Sequence, residues 1–177
     1  GNGRWAESQS MERISGHIQG VETVKAIVES CVKLEIPYLT LYTFSQENWN
    51  RPKQEVDSLM SLLSSSLKSE LEKLNRNNIV FQIVGKIEEM PSNLQALIMD
   101  TVNSTKNNTG LTLALALSYS GRQEIIDATN KMLAANTKNI NEDTFQKHLY
   151  APNTPDPDLI VRTGGESRLS NFLLWQS

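Results

Sequence analysis

The sequence predicts an α/β fold, a mainly parallel central sheet flanked by helices in a single domain. Three observations point there. Short runs rich in β-branched and aromatic residues alternate with longer runs whose apolar residues recur at helical spacing. No internal repeat, low-complexity tract or interdomain linker interrupts that alternation. The length of 177 residues suits one well-filled core better than two small ones, so residues 1–177 are read as one domain.

The elements follow in order. Ile18, Val21, Val24, Ile27, Val28, Cys31 and Val32 recur at helical spacing, with Pro37 just beyond. Tyr38–Phe44 (YLTLYTF) reads as a strand. The polar SQENWNR loop leads to Pro52, which suits a helix's first turn, and Val56, Leu59, Leu63, Leu67, Leu71 and Leu74 form that helix's stripe. Ile79–Val84 is a second strand, and Pro91 opens a helix carrying Leu94, Leu97, Ile98 and Val102. Leu111–Leu117 is a third strand, followed by a helix with Ile125, Ile126 and Met132 and a shorter one around Phe145. After the proline-stiffened APNTPDPD loop, Leu159–Val161 predicts a short fourth strand.

Composition removes several function classes. Apolar and charged fractions of 38% and 21% are those of a soluble globular protein, and a net charge of −3 gives nucleic-acid binding no general support. Cys31 is the single cysteine, which excludes a disulfide framework and a cysteine-based zinc site; a buried small hydrophobe is its expected role. His17 and His148 have no companion ligands at zinc spacing. No apolar run approaches the ~18 residues of a membrane span and no signal peptide is evident, so the cytoplasm is the expected compartment. The chain starts with Gly rather than Met, and both ends are expected to be cut from something longer.

Open parallel sheets bind ligands beyond the carboxyl ends of their strands. Here those ends lead into Ser45, Gln46, Glu47, Asn48, Trp49 and Arg51; into Ser118, Tyr119, Ser120, Gly121 and Arg122; and into Arg162, Gly164, Gly165, Arg168, Ser170 and Asn171. Arginines and small hydroxyls thus reach one sheet edge from separate loops. Guanidinium groups pair bidentately with phosphate oxygens, and glycines let backbone N–H groups approach an anion. The chain start, Gly1-Asn2-Gly3-Arg4, repeats the theme.

Taken singly, each arginine also reads as a surface residue. Trp49 and Trp175 read equally as core or rim, and His17 as a helix cap. Asp156 and Asp158, between prolines, read as loop rigidity. Arg162 and Arg168 beside the glycine pair are the part that a structural role explains least. The sequence contains no P-loop, no G-x-G-x-x-G and no G-x-S-x-G.

Together, GNGRWA (1–6), GHIQG (16–20), LTLYTFSQENWNRP (39–52), SYSGRQEI (118–125) and PDPDLIVRTGGESRLSNFLLWQ (155–176) resemble the cis-prenyltransferases, nearest to their bacterial undecaprenyl diphosphate synthase type. The similarity spans the whole chain, in order. It implies a prenyltransferase that condenses isopentenyl diphosphate onto an allylic diphosphate, usually farnesyl diphosphate, making each new double bond cis. The bacterial product is a long polyprenyl diphosphate such as undecaprenyl diphosphate, precursor of a cell-wall lipid carrier. The resemblance also implies Mg²⁺, a six-stranded sheet, a homodimer, and transient membrane contact through the lipid product.

By position, Gly1, Asn2, Gly3, Arg4 and Trp5 fall in the motif around the allylic diphosphate, with Arg13 and His17 lining that site. Ser45, Asn48 and Arg51 match residues that position isopentenyl diphosphate and assist proton removal, so Asn48, Ser45 and His17 are the catalytic candidates. Arg162, Arg168 and Ser170 match the isopentenyl-diphosphate set, and Trp49 an aromatic between the two substrates. Thr43 and Leu111 match positions along a hydrocarbon tunnel; Phe172 to Trp175 read as ordinary core.

The family's metal-binding aspartate and glutamate fall just outside residues 1 and 177, so no metal ligand is named. Ser120 stands where the family has glycine. A non-catalytic partner subunit of the same fold is the alternative function. An α/β phosphatase or nucleotide-binding domain would explain the anion site but not the ordered motifs.

Overall fold

The computed structural model describes all of residues 1–177. Its helices are α1 (Asn2–Ser8), α2 (Arg13–Lys33), α3 (Lys53–Arg76), α4 (Ser92–Thr105), α5 (Gly121–Ala134) and α6 (Glu142–Gln146). Its strands are β1 (Tyr38–Ser45), β2 (Val80–Gly85) and β3 (Thr112–Tyr119), in the spatial order β1-β3-β2. Both pairings are parallel: Leu41 and Ile83 each lie opposite Leu115. Short 3₁₀ turns follow β1 at Gln46–Asn50 and β2 at Ile87–Glu89. The predicted sheet and its helices are therefore present.

Strand β3 is central and buried on both faces, which is why TLALALSY shows no polar alternation. Leu113, Leu115 and Leu117 face the main core with Phe81 and with Val56, Met60, Leu67, Leu94 and Ile98 of α3 and α4. Ala114 and Ala116 face a second cluster with Val84 and Leu173. Tyr119 joins that second cluster although its odd number would place it with the leucines. The ladder explains this: Phe44 pairs with Leu117 and Ser45 with Tyr119, so Ser118 is skipped, and one extra residue flips the faces.

Thr105, a buried polar residue of the core, is paired. Thr105 Oγ1 accepts from the Phe81 N–H at 3.1 Å and donates to the Thr101 carbonyl at 2.9 Å. Cys31 lies in the main core, and burial pushes its thiol pKa up, as expected of a small hydrophobe.

Two expectations are corrected. Leu159–Val161 forms no strand: Leu159 and Val161 are 77% and 73% exposed, and no backbone–backbone hydrogen bond is made from Pro155 to Arg168. Apolar residues make a strand only beside a neighbour that satisfies their N–H and C=O groups. The sheet accordingly has three strands rather than four or six. The apolar stripe of α2 is also only half used. Val28, Cys31 and Val32 meet the core, whereas Ile18, Val24 and Ile27 remain exposed. No helix is long and apolar enough to cross a membrane.

Candidate active site

The loops after β1 and β3 meet the Arg162–Asn171 loop at one sheet edge. Gly121 N–H donates to the Asn171 carbonyl at 2.7 Å, and Asn171 Nδ2 donates to Glu47 Oε1 at 2.6 Å. Burial raises the Glu47 pKa, but hydrogen bonds from Asn171 and its own turn outweigh that and hold it below the usual carboxylate range. The Tyr42 hydroxyl lies 3.2 Å from both the Tyr119 and Ser170 carbonyls, and its ring stacks on Phe172 at 4.7 Å. Burial, then the nearby Glu47 charge, pushes the Tyr42 pKa up to about 12.

Around that edge the cationic residues form two groups. In the first, Glu166 takes ion pairs from both Arg4 and Arg168. Arg162 donates to Ser170 Oγ at 2.8 Å and to the Arg168 carbonyl. Gly1 lies against this loop: a Cβ on Gly164 would come within 3.2 Å of the Gly1 nitrogen. Gly164 and Gly165 have φ of +90° and +70°, which only glycine adopts readily. The hydrogen bonds from Arg4 and Arg168 hold the Glu166 pKa low.

In the second group Glu55 is the hub. Arg51 Nη1 lies 3.0 Å from it, Arg13 Nε 3.5 Å and His17 Nε2 3.8 Å. Arg13 also pairs with Glu7 at 2.7 Å. His17 Nε2 is buried with no hydrogen-bond partner. Burial first, and then the Arg51 charge, lowers the His17 pKa, so the imidazole is neutral near pH 7.

Helix α1 joins the two groups. It packs on α2 where Gly16 and Gly20 leave room for Asn2; a Cβ on Gly16 would lie 2.0 Å from the Asn2 carbonyl oxygen. That approach accounts for the GHIQG spacing, since residues four apart share a helix face. Arg4 thus turns toward Glu166, while Gly3 lies against the Arg13 guanidinium. Trp5 is exposed.

Ser45 and Asn48 brace each other, the Ser45 N–H donating to Asn48 Oδ1 at 3.2 Å. Trp49 packs edge-on against Phe44 and donates its Nε1–H to Ser118 Oγ at 2.8 Å. Arg122 is exposed, and its charge acts on Glu47. Ser120 precedes α5 with an extended φ of −149°, a conformation that suits serine as well as glycine, and its side chain makes no capping hydrogen bond. Asp156 and Asp158 make no side-chain hydrogen bond or ion pair.

An open cleft of about 980 Å³ lies between α2 and α3, lined by Ile14, Ile18 and Leu62 together with Ser58, Ser61 and Ser65. It adjoins the Glu55 group through Lys53 and Gln54. Leu111 is buried in the main core, and Thr43 is exposed on β1. Phe172 and Leu173 are core as expected, while Trp175 lies half-exposed on Phe145.

Glu55 and Glu166 were not among the sequence candidates. Their signals were present: Glu55 lies four residues after Arg51, at helical spacing, and Glu166 stands between the glycine pair and Arg168. No three His, Cys, Asp or Glu side chains converge in a way that could hold a metal ion. Both hub carboxylates are engaged by arginines. The residues present therefore do not make a protein-only metal site, and no residue is assigned to Mg²⁺.

Comparison with known proteins places this geometry. The family model described as "Putative undecaprenyl diphosphate synthase" matches residues 1–177. The isoprenyl transferase of Clostridium tetani is 47% identical over 182 residues, covering 99% of this chain and 71% of that protein. The isoprenyl transferase of Geobacter sulfurreducens is 45% identical, covering 99% and 74%. Among solved structures, lavandulyl diphosphate synthase from Lavandula x intermedia, in complex with dimethylallyl diphosphate, superposes with a TM-score of 0.94 at 35% identity, covering 99% of this chain and 79% of its own. A probable undecaprenyl diphosphate synthase from Campylobacter jejuni gives 0.81 at 37% identity, covering 89% and 74%. With the family model matched over its whole length and isoprenyl transferases at this identity, the chain belongs to the cis-prenyltransferase family and is a prenyltransferase.

Proposed function

We propose that the protein condenses isopentenyl diphosphate onto farnesyl diphosphate and repeats the step to make a long-chain cis-polyprenyl diphosphate such as undecaprenyl diphosphate, for cell-wall lipid carrier synthesis. The supporting observation is that arginines gather on both sides of α1, enough guanidinium groups for two neighbouring diphosphates, with each diphosphate drawing on both sides. The undecaprenyl name of the family model and of the Campylobacter jejuni structure supports the long-chain product, while the lavandulyl diphosphate synthase neighbour marks a family with more than one product.

In this reading Gly1, Asn2, Gly3, Arg4, Arg13 and His17 hold the allylic diphosphate, with Trp5 at its margin. Arg162, Arg168 and Ser170 hold isopentenyl diphosphate, and Ser45, Asn48 and Arg51 orient it, with Trp49 between the substrates. Substrate oxygens would take the guanidinium N–H donors that Glu55 and Glu166 leave free. The neutral, unpaired His17 imidazole suits a hydrogen bond to a phosphate oxygen better than an extra charge.

The allylic C–O bond breaks, its electron pair leaving with the diphosphate, whose growing charge the arginines offset. The isopentenyl double bond attacks the allylic carbon, and loss of a proton restores the alkene. Ser45 and Asn48 are weak bases, so a diphosphate oxygen is the acceptor we assign. Holding two anions side by side is itself a large contribution through proximity. Each added five-carbon unit gives the chain's apolar walls more to hold, at about 0.8 kcal/mol per buried CH₂.

Mg²⁺, a homodimer and a cytoplasmic location with transient membrane contact complete the proposal. Mg²⁺ is commonly held by one or two carboxylates together with substrate phosphates. The test is incorporation of labelled isopentenyl diphosphate into butanol-extractable product from farnesyl diphosphate, with and without Mg²⁺. Mg²⁺-dependent long-chain product supports the reading; short or irregular product sinks the chain-length claim.

A further inference from the structure

One run of hydrogen bonds crosses the carboxyl ends of all three strands. Trp49, after β1, donates its Nε1–H to Ser118 Oγ at 2.8 Å, and Ser118, within β3, donates to Glu89 Oε2 just after β2. Gln46, at the other end of the Gln46–Asn50 turn, lies 3.5 Å from Glu89 Oε1. One carboxylate thus reaches both ends of the turn, Gln46 directly and Trp49 through a serine.

The backbone at Ser118 is shaped for this link. Ser118 is fully buried, and its φ of +43° is one that residues with a Cβ avoid. The β1–β3 ladder skips it, pairing Phe44 with Leu117 and Ser45 with Tyr119. Bulges of this kind re-aim a side chain. Here the serine leaves the face of Ala114 and Ala116 and turns toward Trp49, which packs on the main core.

Proton bookkeeping fixes the polarity of the run. Ser118 has one hydroxyl proton and donates it to Glu89 Oε2, which leaves a serine lone pair for the indole N–H. Without an acceptor at 89 the buried hydroxyl has no partner for its proton and is free to rotate away from Trp49.

We propose that Glu89 is a positioning residue for the reaction, acting through Ser118 and Trp49 to set where Ser45, Asn48 and Arg51 lie. This rests on the reading of Ser45–Arg51 as a substrate-binding segment. Glu89 itself touches no reacting atom.

The test compares Glu89→Ala, Glu89→Gln, Trp49→Phe and the Glu89→Ala/Trp49→Phe double variant with the parent protein. The readouts are KM and kcat for both diphosphate substrates and the Trp49 indole N–H resonance, identified by its loss in Trp49→Phe. Melting temperatures confirm that each variant is folded. Coupling through a shared hydrogen-bond network predicts that Glu89→Ala raises a substrate KM about fivefold or more and shifts the indole resonance. Glu89→Gln, whose amide oxygen still accepts from Ser118, stays near the parent in both readouts. The double variant is no worse than Trp49→Phe alone.

Parent-like KM values and an unmoved indole signal in a folded Glu89→Ala protein would overturn the proposal. Fully additive effects of Glu89→Ala and Trp49→Phe would do the same. Arg51→Ala keeps the two levels apart. If it leaves both KM values unchanged while Glu89→Ala still moves the indole signal, the substrate-binding reading of the segment has failed, although the hydrogen-bonded link exists.

Discussion

Gly3 lies against the Arg13 guanidinium so closely that a methyl group on it would stand 2.7 Å from Arg13 Cζ. The contact is with the far end of a flexible side chain, which can move. Gly3→Ala should therefore leave the melting temperature nearly unchanged while raising the KM for the allylic diphosphate. Gly16→Ala meets the Asn2 backbone oxygen at 2.0 Å, where nothing can swing aside. Overpacking of that kind costs about 1–3 kcal/mol. Thermal denaturation and steady-state kinetics on the two variants should separate: Gly3→Ala a kinetic defect, Gly16→Ala a loss of stability as well.

Glu55 pairs with Arg13 and Arg51, and the neutral His17 imidazole lies 3.8 Å from it. The pairs are partly exposed, and such pairs contribute about 0–1 kcal/mol each, so Glu55→Ala should unfold at nearly the parental denaturant midpoint. Its effect should fall on catalysis, because the guanidinium groups lose the partner that sets their spacing. A tenfold or larger fall in kcat/KM is expected, about the size of one charge-assisted hydrogen bond. Unchanged kinetics in a folded protein would remove Glu55 from the site.

The folded-state pKa of His17 lies below its ordinary value of 6.5. Above that value both folded and unfolded chains carry a neutral imidazole, and the group costs nothing. As pH falls through 6.5 the unfolded chain takes up the proton first, so stability is progressively lost. His17→Gln removes this contribution. Melting temperatures at about pH 7.5 and about pH 5 should show a steeper acid loss for the parent than for the variant. Equal slopes would mean that His17 is not desolvated.

Tyr42 links β1 to the arginine loop through the Ser170 carbonyl. With its pKa raised from 10.0 to about 12, the folded state resists ionisation, so stability is constant below pH 10 and falls as pH rises from there toward 12. Tyr42→Phe should cost about 1 kcal/mol, the net contribution of one hydrogen bond, and should flatten that alkaline loss. Denaturant titrations at neutral and alkaline pH check both halves.

What the sequence made legible follows from local rules. The three strands were readable from short runs rich in apolar, β-branched and aromatic residues between turn signals, and α3 and α4 because proline starts and apolar stripes agree. Leu159–Val161 misled because its apolar residues say nothing about whether a neighbouring strand exists. The arginines and glycines of the site were readable because anion chemistry names those residue types. Glu55 and Glu166 escaped because a search for cations passes over the carboxylates that pair with them. Glu89 and Ser118 are 29 residues apart, so their contact exists only in three dimensions.

The central claim is that Arg13 and Arg168, one from each arginine group, hold two different substrates. Its most direct test is the KM for each diphosphate in Arg13→Ala and Arg168→Ala, with the other substrate saturating. Arg13→Ala should raise the KM for the allylic diphosphate about tenfold or more and Arg168→Ala that for isopentenyl diphosphate, each leaving the other constant nearly unchanged. Equal effects of both variants on both constants, or no effect of either, would contradict the division of the site.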